Sequence, residues 1–379
     1  MHMLTPDSKY QLIIVGLGRV AIKHLKAFYN LREFFASLIL VEPNKQQIER
    51  FCVQNQKYLP GTVLFFSDLA EALANQPEAK RIVAITTPSN LHYEQAKLAL
   101  ENNCHCLIEK PVTLNLTEAN DLLALSQSKH LQVAIGHIYR YIPLVKELQT
   151  CLASGMIGKI LMAKLELEWG HSQEYYDQAA WRGTYAKDGG VLMNQSIHAL
   201  DLLFYLLDSK LAKGTAYLAQ LNHTIEAEDY AACLLVDNKG RQINLNCTTS
   251  TLPNQHYASF KLIGESGDLT LSMHNKSFKV SIHNKNGQER FWHLAIFLLP
   301  LYWRNRGPHA WTSWTNPHQA IYADLISSIE NDHACLANLE SGISALQAVL
   351  TLYKAAQTES YANNEPLAES KSMQDFFKA

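Results

Sequence analysis

Residues 10–30 read YQLIIVGLGRVAIKHLKAFYN, and this stretch decides the fold of the first half of the chain. A short apolar run ends at Val15, and the six residues after it, GLGRVA, match the pattern G-x-G-x-x-A. In that pattern two glycines allow a tight turn and a close approach of the backbone to a pyrophosphate, and the small last residue lets a helix pack on the strand. The stretch predicts a strand, a turn at Gly16 and Gly18, and a helix from about Val20.

An acidic residue follows the next apolar run, at the position expected in a dinucleotide site. The run ASLILV ends before Glu42, about 24 residues after Gly18, and acids that bind the adenosine ribose lie about 20 residues beyond the glycines. A carboxylate there repels the 2′-phosphate of NADP, and no arginine follows it directly. The sequence therefore predicts NAD as the cofactor, and Lys45 leaves NADP as the less favoured alternative.

Apolar strands and amphipathic helices alternate through the rest of this half. Strands are predicted at GTVLFF, RIVAITTP and CHCLIE, with helices over Asp68–Asn75 and Asn90–Asn102. This alternation is typical of a parallel, doubly wound sheet, in which ligands bind beyond the carboxyl ends of the strands. The loops TTPSN (86–90) and EKP (109–111) are therefore expected beside the cofactor, although TTPSN is equally typical of a capped helix start.

The second half has the pattern of a mainly antiparallel sheet. Polar and apolar residues alternate in several runs separated by turn sequences such as DNKGR and GESGD, and these runs are 161–169, 231–236, 242–248, 258–263 and 277–282. The predicted fold class is α/β followed by α+β. A Rossmann domain is expected over residues 1–130, and an α+β domain with a large open sheet over 131–379.

The composition limits the kinds of partner. Lys+Arg 33 against Asp+Glu 35 gives a net charge of −2 without a block of like charge, so small molecules are expected as ligands rather than nucleic acid or a membrane. The seven cysteines form no metal-binding spacing, so no metal is predicted and a reducing cytoplasm is expected. The sequence shows no targeting pattern and no apolar run of the roughly 18 residues that a membrane helix needs.

Three motifs in this order, GLGRVAIKHLKA, TTPSNLHYEQAKLAL and CLIEKPVTLN, resemble the Gfo/Idh/MocA oxidoreductases. That family oxidises or reduces sugars and cyclitols with a nicotinamide cofactor. The resemblance extends to WRGTYAKDGGVLMNQSIHALDLL and covers nearly the whole chain, less specifically after about Gly267. It implies that Lys110 and His198 are catalytic, and that a homodimer or homotetramer forms through the open face of the sheet.

Lys110 and His198 suit the chemistry of hydride transfer from a secondary alcohol. His198 can take the hydroxyl proton near neutral pH, and Lys110 can stabilise charge on the same oxygen, although swapped or shared roles remain open. Each residue alone has a plainer interpretation, His198 as a hydrogen-bonded core histidine and Lys110 as a solvated loop lysine. The glycine turn, the strand-end acid, the lysine and the histidine together favour catalysis.

The predicted binding residues cluster in the motifs described above. Cofactor-binding residues are predicted in the glycine turn, after the second strand and in the two loops, namely Gly16, Gly18, Arg19, Val20, Glu42, Thr87, Pro88, Asn90, His92, Glu109 and Lys110. The predicted substrate-binding residues are Lys110, Arg140, Arg182, Asn194 and His198. The two arginines suit a phosphate or carboxylate, and are equally typical of stacking on neighbouring aromatic rings.

Two positions depart from the family pattern. Asn194 stands where many members have aspartate, and Ser196 where many have glycine. An asparagine can orient the imidazole without adding charge. The resemblance associates asparagine here with branches that act on nucleotide-linked sugars, so a UDP-sugar is the predicted substrate. The alternatives are an inositol or free-hexose dehydrogenase and a non-catalytic NAD-binding regulator. The tryptophan-rich segment 291–318 matches the family poorly and is expected to form an oligomer contact or a lid.

Overall fold

The computed structural model describes residues 10–75, 79–275, 277–289, 316–363 and 365–378. These residues form two compact units, each with its own sheet. The described part of the first unit runs from residue 10 to 113, from 117 to 141 and from 316 to 343, with residues 76–78 left out. Up to residue 315, the tryptophan-rich segment lies outside the described residues.

The strands and helices are numbered here in chain order. The strands are β1 (Tyr10–Val15), β2 (Phe35–Val41), β3 (Leu64–Phe66), β4 (Arg81–Ile85), β5 (His105–Ile108), β6 (Val133–Ile135), β7 (Ile160–Trp169), β8 (Leu211–Ala219), β9 (Tyr230–Asp237), β10 (Gln242–Thr248), β11 (His256–Gly264), β12 (Gly267–His274) and β13 (Ser277–Asn284). The α-helices are α1 (Ala21–Asn30), α2 (Lys45–Asn55), α3 (Leu69–Ala74), α4 (His92–Glu101), α5 (Leu116–Ser128), α6 (Pro143–Ala153), α7 (Gln173–Asp177), α8 (Ile197–Leu207), α9 (Pro317–Asn331) and α10 (Leu339–Thr358).

The first unit contains a six-stranded parallel sheet in the order β3-β2-β1-β4-β5-β6. Every residue of β1 and of β4 is buried, as expected for parallel strands covered on both faces. This strand order is that of a dinucleotide-binding fold, so the predicted Rossmann architecture is confirmed.

The carboxyl ends of the central strands are in register. Val15 pairs with Val41 on one side and Ile85 on the other, and the row continues from Ile85 through Ile108 to Ile135. The residues that follow these strands therefore emerge side by side at one edge of the sheet. That edge includes the glycine turn and both loops that the sequence predicted beside the cofactor.

Helix α9 packs in the first unit, although the sequence placed it in the second domain. Its buried residues Ile321, Tyr322, Leu325 and Ile326 belong to the same hydrophobic core as β1 and α1. The predicted single boundary between residues 130 and 131 therefore differs from the structure, in which the chain leaves the first unit and returns to it. Hydrophobic periodicity identifies the apolar face of such a helix and leaves open which core that face joins.

The second unit contains a seven-stranded sheet in the order β13-β12-β11-β7-β10-β9-β8. Neighbouring strands are antiparallel except for β7 and β10, which pair in parallel. Burial alternates along the strands, as in β10, so one face joins a core and the other is more exposed. The predicted, mainly antiparallel sheet is confirmed, and β8 and β12 are strands that the alternating runs did not include.

Helix α8 is almost wholly buried in the second unit. Nine of its 11 residues are buried, and the two exceptions are His198 and Tyr205. Within the described residues, no helix is long and apolar enough to cross a membrane.

Candidate active site

The glycine turn after β1 requires its first glycine. Gly16 has a φ of +85°, and a Cβ there would lie 2.7 Å from Cγ2 of Thr87, so both the backbone conformation and the neighbouring loop exclude a side chain. At Gly18 the situation differs, because a Cβ would meet no protein atom within 4 Å. The packing of the protein itself thus gives no reason for glycine at position 18. The close approach of a pyrophosphate does give one, so the turn fits a dinucleotide.

Glu42 holds the main chain of this turn. Its Oε2 accepts a hydrogen bond from the amide of Leu17 at 3.0 Å, and its Oε1 accepts one from the amide of Asn44 at 3.1 Å. On the other side of the turn, Gln47 donates its side-chain amide to the carbonyl of Leu17 at 2.6 Å. The half-buried carboxylate therefore lies beside the glycine turn at the end of β2, as the sequence predicted for an acid that binds ribose.

The loop after β4 is fastened directly to the glycine turn. The hydroxyl of Thr86 donates to the carbonyl oxygens of Gly16 at 2.6 Å and Val15 at 3.0 Å, and the hydroxyl of Thr87 donates to Gln95 at 2.6 Å. The residues of this edge that are at least partly exposed include several of the predicted cofactor residues, namely Arg19, Val20, Thr87, Pro88 and Asn90.

His92 is a buried residue whose ring connects the loops TTPSN and EKP. Its ring is buried, with Nδ1 2.8 Å from the carbonyl oxygen of Pro111 and Nε2 3.0 Å from that of Thr87. Both ring nitrogens are therefore engaged by protein groups, so His92 connects the two loops, and its contact with a cofactor stays a prediction. Burial lowers the pKa of His92, whereas its two carbonyl partners favour the protonated ring.

Glu109 is also turned away from the exposed edge. Its buried carboxylate accepts hydrogen bonds from His24 Nε2 at 3.0 Å and His318 Nε2 at 3.2 Å, and the cofactor contact of this residue stays a prediction. Burial raises the pKa of Glu109, but the hydrogen bonds from the two histidines more than offset it and hold the pKa well below its usual range. Lys110, the next residue, is half-buried at the same edge of the sheet.

In the second unit, the segment before His198 is a π-helical turn rather than a regular α-helix. The turn spans Leu192–Ser196, and the amide of Ser196 donates to the carbonyl of Val191, five residues back, at 2.8 Å. A π-helical turn has more residues per turn than an α-helix, so residues 192–196 are not spaced around the helix axis as the residues of α8 are. Single π-helical turns inside helices are frequent at functional sites.

Three polar residues of this helical segment reach its accessible side. Asn194, Gln195 and His198 are partly exposed, whereas the other residues from 189 to 204 are buried. Asp201, three residues after His198, is buried. The accessible part of the segment thus consists of two amides and an imidazole, groups that can donate and accept hydrogen bonds and, at His198, carry a proton.

Asn194 is oriented by a buried acid. Its Nδ2 donates to Oδ1 of Asp188, while Oδ2 of Asp188 accepts the amide of Gly183 at 3.0 Å. These two contacts hold the carboxylate of Asp188, which in turn orients the side-chain amide of Asn194. Asp229 likewise accepts three main-chain amides and His223 Nδ1, as a turn residue does.

Glu228 holds the beginning of the π-helical turn, and the sequence did not identify it. Its Oε1 accepts the amide of Leu192 and the hydroxyl of Tyr353, each at 3.0 Å, and its carbonyl accepts the amide of Val191 at 2.9 Å. Complete burial raises the pKa of this carboxyl to about 7. A Cβ on Gly190 would collide with the carboxyl group, which explains the second glycine of DGG (188–190).

The two predicted anion-binding arginines make protein contacts. Arg140, in the first unit, donates to the carbonyl of Leu336 at 3.0 Å. Arg182, in the second, lies 4.3 Å from the ring centre of Tyr175 and donates to Gln178 at 2.9 Å. The structure therefore agrees with the stacking interpretation of Arg182.

A stacked pair of rings adjoins Gln195, and it was also absent from the predicted set. The rings of His171 and Tyr175 are 3.8 Å apart and nearly parallel, and Gln195 Nε2 is 3.3 Å from His171 Nε2. No spacing signal connects His171 with Gln195, because the contact joins a loop after β7 to a helix through the fold. Of the predicted site residues, the structure assembles the glycine turn, Glu42 and Lys110 in the first unit, and Asn194 and His198 in the second.

Comparisons with known proteins agree with this architecture. Residues 10–137 match the Gfo/Idh/MocA model described as an oxidoreductase family with an NAD-binding Rossmann fold, and residues 145–270 match the Gfo/Idh/MocA C-terminal domain. Glucose-6-phosphate 3-dehydrogenase from Bacillus subtilis (strain 168) is 23% identical over 370 residues, which cover 94% of this chain and 98% of that protein. UDP-N-acetylglucosamine 3-dehydrogenase from Acidithiobacillus ferrooxidans is 45% identical over a shorter segment, 18% of this chain and 21% of its own.

A solved structure is similar along almost the whole chain. The WlbA dehydrogenase from Bordetella pertussis, in complex with NADH and UDP-GlcNAcA, has a TM-score of 0.81 at 22% sequence identity, covering 96% of this chain and 99% of that one. This similarity shows a shared fold. Together with the two family models, which span the Rossmann sheet and most of the second sheet, it shows that the chain belongs to the Gfo/Idh/MocA oxidoreductases, with an NAD-binding Rossmann domain.

Proposed function

We propose that this protein is an NAD-dependent dehydrogenase that oxidises a secondary hydroxyl on the ring of a nucleotide-linked sugar. The observation that carries the proposal is the accessible polar group Asn194, Gln195 and His198 on a helical segment that is otherwise buried. Asn194 is held by the buried carboxylate of Asp188, and His198 lies on the same segment at a partly exposed position, which suits a positioned acid–base group.

His198 is assigned as the base that removes the hydroxyl proton, and Lys110 as the donor that stabilises the developing charge on the same oxygen. When bound, NAD supplies the acceptor for the hydride. An imidazole changes charge close to neutral pH and an ammonium carries the complementary charge, so the two side chains divide the chemistry between them.

Glu42 supports NAD over NADP in this proposal. Its carboxylate accepts hydrogen bonds from the amides of Leu17 and Asn44, so it cannot rotate away from the glycine-rich loop without losing both bonds. A carboxylate held there accepts ribose hydroxyls and repels a 2′-phosphate.

The relatives support a sugar substrate. One of those described above is a UDP-N-acetylglucosamine 3-dehydrogenase, and the similar WlbA structure contains UDP-GlcNAcA, which favours a nucleotide-linked sugar for this chain. Glucose-6-phosphate 3-dehydrogenase, which aligns with almost the whole chain, makes a free hexose or its phosphate the second candidate. Asn194 and Gln195 supply the amide groups that sugar hydroxyls commonly contact.

The open face of the second sheet supports a homodimer or homotetramer. Outward-facing Tyr217 and Leu234 are 66% and 50% exposed, next to polar residues such as Asn244 and Asn246. Large apolar side chains on an uncovered sheet favour association with a second copy. All seven cysteines are free thiols, which supports a working place in the reducing cytoplasm.

The proposal is tested by mixing the purified protein with NAD and UDP-N-acetylglucosamine, UDP-GlcNAcA, glucose 6-phosphate or inositol, and recording NADH absorbance. We expect turnover with a UDP-sugar and a lower rate with the others. Faster turnover with glucose 6-phosphate would replace the nucleotide-sugar assignment. Tight NAD binding by calorimetry without reduction by any of the four would favour a non-catalytic NAD-binding regulator.

A further inference from the structure

Three buried titratable side chains from distant parts of the chain meet inside the first unit. They are His24 on α1, Glu109 after β5 and His318 on α9, with exposed fractions of 0%, 7% and 5%. Both imidazoles direct Nε2 at the same carboxylate oxygen, from 3.0 Å and 3.2 Å. Glu109 is the first residue of the EKP loop, and Lys110 follows it directly in the chain.

The protonation of His318 follows from its hydrogen bonds. Asn316 donates its side-chain nitrogen to the carbonyl of Lys23 at 2.8 Å, and a carbonyl can only accept, so the amide cannot be turned the other way. The oxygen of Asn316 therefore faces His318 Nδ1, 3.2 Å away, and requires a proton on that nitrogen. Since Nε2 faces a carboxylate, it carries a proton too, and His318 is an imidazolium.

The other histidine of the cluster, His24, is a neutral ring. His24 Nε2 donates to Glu109, and the hydroxyl of Tyr322 lies 2.9 Å from Nδ1, which accepts from it. Burial is the main cause that lowers the pKa of His24, and burial raises the pKa of Tyr322, so the ring stays neutral and the phenol keeps its proton. The cluster then contains one carboxylate and one imidazolium, with its hydrogen bonds satisfied and no net charge.

Two histidines and a carboxylate are also side chains that bind Zn²⁺. In a zinc site, however, Tyr322 would have to accept from His24 Nδ1, which removes the acceptor for its own proton inside the core. The second carboxylate oxygen of Glu109, Oε2, also packs closely against Gly136. A Cβ on that glycine would lie only 2.7 Å from Oε2. The proton count described above satisfies every one of these groups without an ion.

We infer that His318 is a positioning residue whose charge neutralises Glu109 and so holds the loop that carries Lys110. The inference rests on the proposed function, because it assumes that Lys110 acts in turnover. The main chain of Glu109 is already bonded to β4, through its amide and the carbonyl of Ile85 at 3.0 Å. With its side chain held by the two histidines, Glu109 is fixed at both ends, and Lys110 leaves the sheet edge in a defined direction.

The charge, rather than the shape, of His318 is tested with His318→Gln, Glu109→Gln and the double variant. His318→Gln leaves a buried carboxylate without its counter-charge, and we expect kcat to fall between about 10-fold and 100-fold, the scale for a misplaced catalytic group, with little change in KM. The double variant removes both charges, so kcat should return to within a few-fold of wild type. His333→Gln, an exposed histidine just after α9, is the control and should leave kcat unchanged.

A pH profile separates a charge effect from general damage. Burial favours protonation of an uncompensated Glu109, so the rate of His318→Gln relative to wild type should rise as pH falls from about 8 to about 6. The same ratio should be flat for the double variant. The other titratable groups around the carboxylate, His24, Tyr322 and His92, are present in both variants and cancel in this comparison.

Two measurements need no substrate. NMR of labelled histidine nitrogens should show His318 protonated at both positions and His24 at Nε2 only, and the backbone amide signal of Lys110 should move in His318→Gln and return in the double variant. If the single variant does not fold, the wild-type spectrum still decides the protonation state. A singly protonated His318, an unmoved Lys110 signal or a stoichiometric bound metal would overturn the inference, whereas absence of sugar turnover alone would overturn only the proposed function.

Discussion

Asn194 donates its side-chain amide to the buried carboxylate of Asp188, six residues earlier in the chain. The family resemblance emphasised an aspartate at position 194, and the structure shows the negative charge at position 188 instead. An amide at 194 is therefore complementary to its neighbour. It also presents its remaining oxygen in a fixed direction on the accessible side of the helical segment.

Replacing Asn194 with aspartate should destabilise the protein, increasingly so as pH rises. Two carboxylates would then face each other at hydrogen-bond distance, and they can coexist only if they share a proton. We expect a loss of about 1–3 kcal/mol in the free energy of unfolding near neutral pH, and a smaller loss near pH 4 where one carboxyl is protonated. Urea unfolding at both pH values measures the difference.

The exchanged pair Asp188→Asn with Asn194→Asp is the matched control. It restores one amide and one carboxylate in contact, so stability near neutral pH should largely recover. If the exchanged pair were as unstable as Asn194→Asp alone, like-charge repulsion would not be the cause. Comparing the kcat/KM profiles of the two variants also shows whether a carboxylate at 194 changes the protonation of His198.

Glu228 should make the stability of the second unit depend on pH. Its pKa is raised to about 7 by burial, so the folded protein retains a proton that the unfolded chain releases near pH 4.5. Stability from this group is thus full at low pH and declines through the window from about 4.5 to 7, by up to about 1.4 kcal/mol per pH unit. Glu228→Gln keeps an acceptor for Leu192 and Tyr353 and should remove this slope, as measured by unfolding at pH 5 and pH 7.5.

An unchanged slope in Glu228→Gln would mean that other groups set the pH dependence. Asp237 serves as the comparison, because it is a buried acid of the same unit that is paired with Arg241 at 2.6 Å. Asp237→Asn should lower stability across the range without removing the decline between pH 5 and 7.

The two glycines of the turn should respond differently to valine. Gly16→Val meets both a positive φ and Thr87, so it should destabilise the fold. In Gly18→Val the Cβ meets no protein atom within 4 Å, so the protein should fold while its affinity for NAD falls about 100-fold, or about 3 kcal/mol. Thermal unfolding and calorimetric titration with NAD measure the two effects separately. Normal NAD affinity in a folded Gly18→Val protein would contradict the assignment of the turn.

Glu42→Ala should relax the discrimination against NADP, since the repelling carboxylate is removed. The structure adds that Glu42 also binds the amide of Leu17, so the affinity for NAD should fall as well. Glu42→Gln is the control that keeps an acceptor for Leu17 without the charge. If both variants still rejected NADP in turnover assays, a group other than Glu42 would select the cofactor.

Local patterns were sufficient to predict the fold of each half. The run before Gly16, the acid after β2 and the alternation along β10 each report on neighbours in the chain, and periodicity records such relationships directly. The same reasoning located Lys110 at the edge of the first sheet and His198 among the accessible residues of a buried helix.

Periodicity and local motifs did not predict the contacts between segments that are far apart in the sequence. His318 and Glu109 meet only because α9 returns to the first unit, and Glu228 reaches the π-helical turn from the loop just before β9. A single sequence contains no periodic signal for such pairs. The burial of the His92 and Glu109 side chains was not predicted for a related reason. A motif identifies a loop but does not show which of its side chains point into the core.

Lys110→Ala and His198→Ala test the assignment on which the proposed function depends. Each should reduce kcat at least about 100-fold, the usual scale for a positioned acid–base group or charge-stabilising donor. Neither should abolish NAD binding, because the glycine turn and Glu42 do not require these side chains. Exposed residues of the same types serve as controls, and Lys285→Ala and His274→Ala should keep near wild-type turnover. Since His198 is one of only two residues of α8 that are not buried, its replacement should cost little stability. A large fall in the melting temperature with normal kcat in the remaining folded protein would identify His198 as a core histidine instead.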